Sequence, residues 1–159
     1  MNWLNENEFV RAVKALPLVS ADLVVLNAEG QMLLGLRRNA PARGWWFTPG
    51  GRVRKNEPFE ECLQRVAMTE LGLTVQQVAA VSLMGVWDHL YEDSAFDAGV
   101  STHYVNLPHL LRLEDVPDLD ALPLDQHSGW RWQDPRDAAV ADDVHPYVRV
   151  YAKWVIDHA

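Results

Sequence analysis

An α/β fold, with a mixed β-sheet held between helices, is predicted by three observations. Two aliphatic runs, LVSADLVVLN (18–27) and QMLLGLRR (31–38), flank the turn signal NAEG. A segment of helical period, 57–71, follows and stops at Gly72. Further strand-like runs then lead to a second amphipathic segment at the C-terminus. Strands interleaved with helices in this order place a sheet between helical layers.

The first two runs form a hairpin. NAPARG is a loop, and WWFTP is a short extended piece ending at Pro49. Gly50-Gly51 then allow backbone conformations closed to other residues. In the helix, Pro58 suits the first turn, and Glu57, Glu60 and Glu61 favour its electropositive end. VSLMGVWDHL (81–90) and STHYVNLPHLL (101–111) read as a pair of strands joined by the acidic loop YEDSAFDAG. LEDVPDLDALPLD (113–125) is an acidic connection, GWRWQ (129–133) a short strand and DPRDAAVADD (134–143) a short helix. VRVYAKWVIDHA (148–159) has apolar residues at 148, 150, 151, 154 and 155, one face of a helix.

A length of 159 residues suits a single domain spanning 1–159. No apolar run is long enough to cross a bilayer, and the N-terminal stretch is too polar for a secretory signal. Cys62 is the only cysteine, so no intrachain disulfide forms, and a cytoplasmic location is expected. The net charge of −8 argues against general nucleic-acid binding. No acidic residue lies between Glu29 and Glu57, yet Arg37, Arg38, Arg43, Arg52, Arg54 and Lys55 do, six of the 14 basic residues. That block reads as a trap for a small anion, or as a chance cluster in loops.

On a wheel with Phe59 at zero, Leu63 falls near ~40°, Val66 near ~340°, Ala67 near ~80° and Glu70 near ~20°. Glu70 therefore sits in the middle of the buried stripe, where an ionised carboxylate is costly unless paired or bound to a metal. Three readings are open for it: a frayed last turn that reaches water, a buried Glu–Arg pair, or a metal ligand beside the Gly-Gly turn. Arg65 stands four residues after Glu61, an ordinary surface pairing.

Gly51, five residues, Glu57, seven residues, Arg65, then Glu70 and Gly72-Leu73 resembles the Nudix box, which departs here only at Val66 and Thr69, where that family carries glutamates. The resemblance implies an α/β/α sandwich and magnesium-assisted hydrolysis of a nucleoside diphosphate linked to another group. A narrower likeness covers almost the whole chain: PLVSAD (17–22), LLGLRRNAPARGWWFTPGGR (33–52), MTELGL (68–73), GVWDH (85–89), THYV (102–105), DQH (125–127) and VHPYVRVY (144–151). These segments are similar to GDP-mannose mannosyl hydrolases, which share the same two departures.

That likeness implies attack of water on the sugar's anomeric carbon, releasing GDP and mannose, with GDP-glucose as a possible further substrate. The base then belongs on a loop beyond the sugar rather than on the helix, and His127 matches it. Gly50 by its carbonyl, Glu70 and Gln126 match ligands of Mg²⁺, or of Mn²⁺; an all-oxygen set suits such hard ions. Arg37, Arg52 and Tyr104 match groups on the diphosphate, where charge grows as GDP leaves. Asp22 and His89 match residues near the sugar. Glu57 and Arg65 match positions that hold loop and helix together. Displacement from the face opposite GDP implies inversion, and relatives of this kind resemble homodimers, here through the N-terminal segment and the helix of Trp154. Trp45, Trp46, Trp130 and Trp132 either stack a base or sugar or, the stronger reading, fill the core. Two other functions compete: a pyrophosphatase cutting between the phosphates, and a non-catalytic module that binds a nucleotide sugar.

Overall fold

The computed structural model describes residues 4–158; positions 1–3 and 159, the latter the end of the expected C-terminal helix, lie outside them. Helix α1 (Glu6–Ala15) comes first and was not expected from composition. Its start is written in a capping box: Asn5 accepts from the Glu8 N–H while Glu8 accepts from the Asn5 N–H, both at 3.0 Å. Strands β1 (Leu18–Leu26) and β2 (Met32–Arg37) follow the expected hairpin, then come the short β3 (Trp46–Phe47) and β4 (Gly50–Arg52). Helix α2 (Phe59–Leu71) ends at Gly72, whose φ of 64° is the left-handed cap that a glycine adopts without strain.

Next come the single-turn α3 (Val75–Val78), β5 (Ser82–Leu83), β6 (Trp87–Tyr91) and the long β7 (Thr102–Arg112). The chain closes with β8 (His127–Gln133), the single-turn α4 (Pro135–Ala138) and α5 (Pro146–His158). The expected strand over 81–90 is thus two strands. Ser82 and Leu83 pair with Leu110 and His109, but Trp87 pairs with Asn106, so one extra residue bulges out between them. The bulge falls at Gly85, on which the Trp87 ring lies so closely that a Cβ would meet it at 2.9 Å.

The sheet runs β3-β2-β1-β7-β5, with β4 on β1, β6 on β7 and β8 on β2. Among the described strands β1 and β7 pair in parallel and the other strand pairs are antiparallel. Alternation along β1 divides two cores. Ala21, Leu23 and Val25 face α2, which buries Cys62, Leu63, Val66, Ala67 and Leu71. Val24 and Leu26 face α5, which buries Val148, Tyr151, Ala152 and Val155. Sheet between helices is the sandwich expected from the sequence. Val150, expected on the buried face of α5, is exposed instead, because the stripe runs 148-151-152-155. Trp130 and Trp132 pack against the α2 core and Trp46 against the α5 core, which is the core-filling role.

Candidate active site

A cavity of about 610 Å³ opens where β4 and the helix α2 meet the edges of β1, β6 and β7. Eight of the nine residues expected to serve the site line it: Asp22, Arg37, Gly50, Arg52, Glu70, His89, Tyr104 and Gln126. The ninth, His127, does not.

Glu70 is held by α2 at the end of its buried face. The last turn is intact, and among the described residues Glu70 forms no ion pair, so neither of the alternative readings of its position describes it. Its Oε2 is buried with no hydrogen-bond partner. Burial pushes its carboxyl up to about 8, against the pull of the nearby Arg37 charge and a hydrogen bond from the Gly50 N–H. Gly50 must be glycine here: a Cβ would collide with Asp22 Oδ1 and come within 2.8 Å of the Ala21 carbonyl. The Gln126 side-chain oxygen accepts from Asn39 Nδ2 at 3.1 Å. An orphaned carboxyl oxygen and an amide oxygen lining one cavity are the hard-oxygen chemistry that a divalent cation takes. Among the described residues no group of three or more Asp, Glu, His or Cys side chains is placed to hold a metal ion.

The basic block divides. Arg37, Arg52 and Arg54 reach the cavity, while Arg38, Arg43 and Lys55 do not line it. Arg37 is steadied by the carbonyls of Pro41 and Asn39, at 3.0 and 3.4 Å. Arg52 lies over the Phe9 ring of α1 at 5.1 Å, and Phe9 meets Phe96 of the cavity wall edge-on at 5.5 Å. Arg65 pairs not with Glu61 but with Glu57, at 2.6 and 2.9 Å, and donates to the Arg52 carbonyl at 3.0 Å. Glu57 also accepts the Arg54 N–H at 2.8 Å. These bonds clip the 52–57 loop onto α2 and hold the Glu57 carboxyl down at about 2.

At the other end of the cavity lies a buried polar group. Asp22 is 5% exposed and His89 2% exposed. Both bond the Tyr151 phenol, Asp22 Oδ2 at 2.7 Å and His89 Nε2 at 3.0 Å. Asn106 joins the same oxygen at 2.7 Å and Ser20 at 2.8 Å. Burial pushes Asp22 up to about 6 and His89 down to about 3. Burial also raises the Tyr104 phenol, so it stays a hydroxyl donor at neutral pH.

Asn106 and Tyr151 were not foreseen. The signal was present: a lone amide in the apolar run of β7, and a tyrosine on the buried stripe of α5, each demand a buried partner.

His127 is the main departure from expectation. It lies not in a loop but on the first residue of β8, opposite Arg37 of β2. Its ring is 1% exposed, rests on Trp130 at 4.4 Å between centroids, and occupies the space over Gly35 where a Cβ would collide with it. Its Nε2 has no partner, and burial lowers its pKa to about 4.

A family profile for the NUDIX domain matches residues 16–155. The chain belongs to the Nudix family. It is 40% identical over 147 residues to the Low-salt glycan biosynthesis protein Agl8 of Haloferax volcanii, covering 92% of this chain and 86% of that one. The Nudix fold is shared with the crystal structure of a MutT NUDIX hydrolase from Burkholderia pseudomallei, at a TM-score of 0.70 and 25% identity over 88% of this chain and 98% of that one. The NUDIX domain of Shewanella oneidensis NrtR, solved with ADP ribose, superposes at a TM-score of 0.67 and 14% identity over 98% and 99% of the two chains. Membership places this Nudix domain in a hydrolase superfamily whose members commonly use divalent metals such as Mg²⁺. Among the described residues no helix is long and apolar enough to cross a membrane.

Proposed function

We propose that this Nudix domain hydrolyses GDP-mannose, and GDP-glucose as a further substrate, to GDP and the free sugar. Water attacks the anomeric carbon, the bond from that carbon to the β-phosphate oxygen breaks, and GDP leaves with the electron pair. The observation that carries this reading is the distribution of carboxylates. Asp22 and Glu70 are the acidic side chains lining the cavity, and the helix presents Val66 and Thr69 where a second and third acid would activate water at phosphorus. The 40% identical relative named for glycan biosynthesis supports a sugar-linked substrate.

Arg37, Arg52 and Tyr104 bind the diphosphate in this reading, and Asp22 and His89 the sugar hydroxyls. Glu70, Gln126 and the Gly50 carbonyl would hold Mg²⁺ or Mn²⁺, which when bound neutralises charge on the departing diphosphate. His127 takes the proton from water. In the observed pose its ring fills the Gly35 notch, so this role requires the segment just after the cavity-lining Gln126 to turn outward. In that pose the buried Nε2 has no hydrogen-bond partner among the described residues. Attack opposite GDP gives inversion. A homodimer in the cytoplasm belongs to the same proposal, and sedimentation of the purified protein tests the dimer.

The inward His127 also favours a second reading, a module that binds a nucleotide sugar without turnover, since binding needs no base. Hydrolysis of GDP-mannose in ¹⁸O-water separates the readings. The label is expected on free mannose with GDP as the nucleotide product, and His127→Gln should lower kcat at least ~100-fold while binding persists. GMP as product points to a pyrophosphatase instead; no product at all points to the binding module.

A further inference from the structure

The Tyr151 phenol lies outside the cavity lining, with 0% of the residue exposed, yet it touches both groups assigned to the sugar. Three partners surround its oxygen: Asp22 Oδ2 at 2.7 Å, Asn106 at 2.7 Å and His89 Nε2 at 3.0 Å. A phenol has one hydrogen to donate and two lone pairs to receive with. Asp22 Oδ2 and the Asn106 amide oxygen both accept the single phenol hydrogen, while the Asn106 nitrogen donates to Ser20 Oγ at 2.8 Å and to the Asp22 carboxylate. No phenol hydrogen is left for the imidazole, so His89 must donate to the phenol oxygen. This fixes the hydrogen on Nε2, leaving Nδ1 as the ring's acceptor for a ligand.

The face of the same ring is also held. Tyr147, one helical turn before Tyr151 on α5, stacks on His89 at 4.0 Å with an interplanar angle of 2°. Tyr147 is itself pinned: its hydroxyl accepts the Leu90 N–H at 2.7 Å and donates to the Leu90 carbonyl at 2.9 Å. One helix thus grips His89 by edge and by face.

We propose that Tyr151, braced by Tyr147, is a positioning residue that locks His89 in its Nε2–H tautomer and aims the Asp22 carboxylate, so that the pair presents fixed acceptors to the sugar hydroxyls of a nucleotide sugar. The clamp rests on the reading of Asp22 and His89 as sugar-facing. Its tautomer component rests on the hydrogen count alone.

Tyr151→Phe removes one oxygen and keeps the ring that packs edge-on to Trp87 at 5.8 Å. Long-range ¹H–¹⁵N NMR at pH 8 should report Nε2–H for His89 in the wild type and a mixture of tautomers in the variant. GDP affinity should change less than twofold, while GDP-mannose affinity falls about tenfold, the loss of one well-placed hydrogen bond to a charged network. An unchanged His89 signal in folded Tyr151→Phe overturns the clamp. So does a changed signal with GDP-mannose affinity intact. If the variant does not fold, Nδ1–H in the wild type overturns it by itself. A wild type that binds GDP-mannose no better than GDP overturns the sugar-facing assignment instead, whatever the His89 signal shows.

Discussion

Glu70 keeps a buried carboxylate oxygen without a partner, and the cost of that falls on the metal-free protein. The folded carboxyl titrates at about 8 and the unfolded one near 4.5. Between those values the folded state still holds a proton that the unfolded chain has released, so this group makes stability fall as pH rises through that window. Glu70→Gln removes the effect. At pH 8 and without metal the variant should melt at least ~5 °C above the wild type, and the gap should close toward pH 5. Added Mg²⁺ should raise the wild-type Tm at pH 8 and leave Glu70→Gln unmoved. Scanning calorimetry at the two pH values checks both; a variant less stable at pH 8 than the wild type would remove the argument. Glu70 was legible from the helix wheel because one periodic element decides its direction. That Tyr151 needs a buried partner was legible too, but not which one, because its partners come from three strands that only the folded chain brings together.

At the scale of elements, β8 explains why His127 was misplaced. Its segment has turn-like residues on either side, but pairing with β2 extends the strand back to position 127 across an irregular register between Gly35 and Arg37. The imidazole fits only because Gly35 has no side chain. Gly35→Ala should therefore cost about 1–3 kcal/mol by overpacking. His127→Ala in the same chain should recover most of that, giving a coupling of at least ~1 kcal/mol in a double-mutant cycle of urea unfolding. Additive costs would show that the two residues do not share the space. The other elements were legible where period and caps agree, as in α2, and less so where tertiary pairing interrupts a strand, as at the Gly85 bulge. The helix α1 could have been read from Asn5 and Glu8, whose spacing is a start signal independent of hydrophobic pattern.

For the whole molecule, charge is separated in space as it is in sequence. A protein of net charge −8 concentrates Arg37, Arg52 and Arg54 on one cavity. Nucleotide binding should then depend on ionic strength more than stability does, since the surrounding negative surface repels anions that only the cavity attracts. Between 50 and 300 mM KCl the affinity for GDP is expected to fall roughly 3–10-fold, with little movement in the urea midpoint. Calorimetric titration at the two salt levels measures this; an affinity that stays flat would show that the arginines do not meet the phosphates. The α/β/α arrangement was legible because it follows from element order, whereas the meeting of Asp22, His89 and Asn106 depends on which strands become neighbours.

The parallel seam between β1 and β7 joins residues far apart along the chain, Ser20 meeting Asn106 across 86 positions. Contacts of such long span form late, after the loop between them has been closed at an entropic loss. Asp22 belongs to one side of that seam and Tyr104 and Asn106 to the other. The Asp22–His89–Asn106 end of the pocket therefore has no half-built form: it exists only once the seam has closed, whereas Arg37, Arg52 and Glu70 all belong to the β1 side.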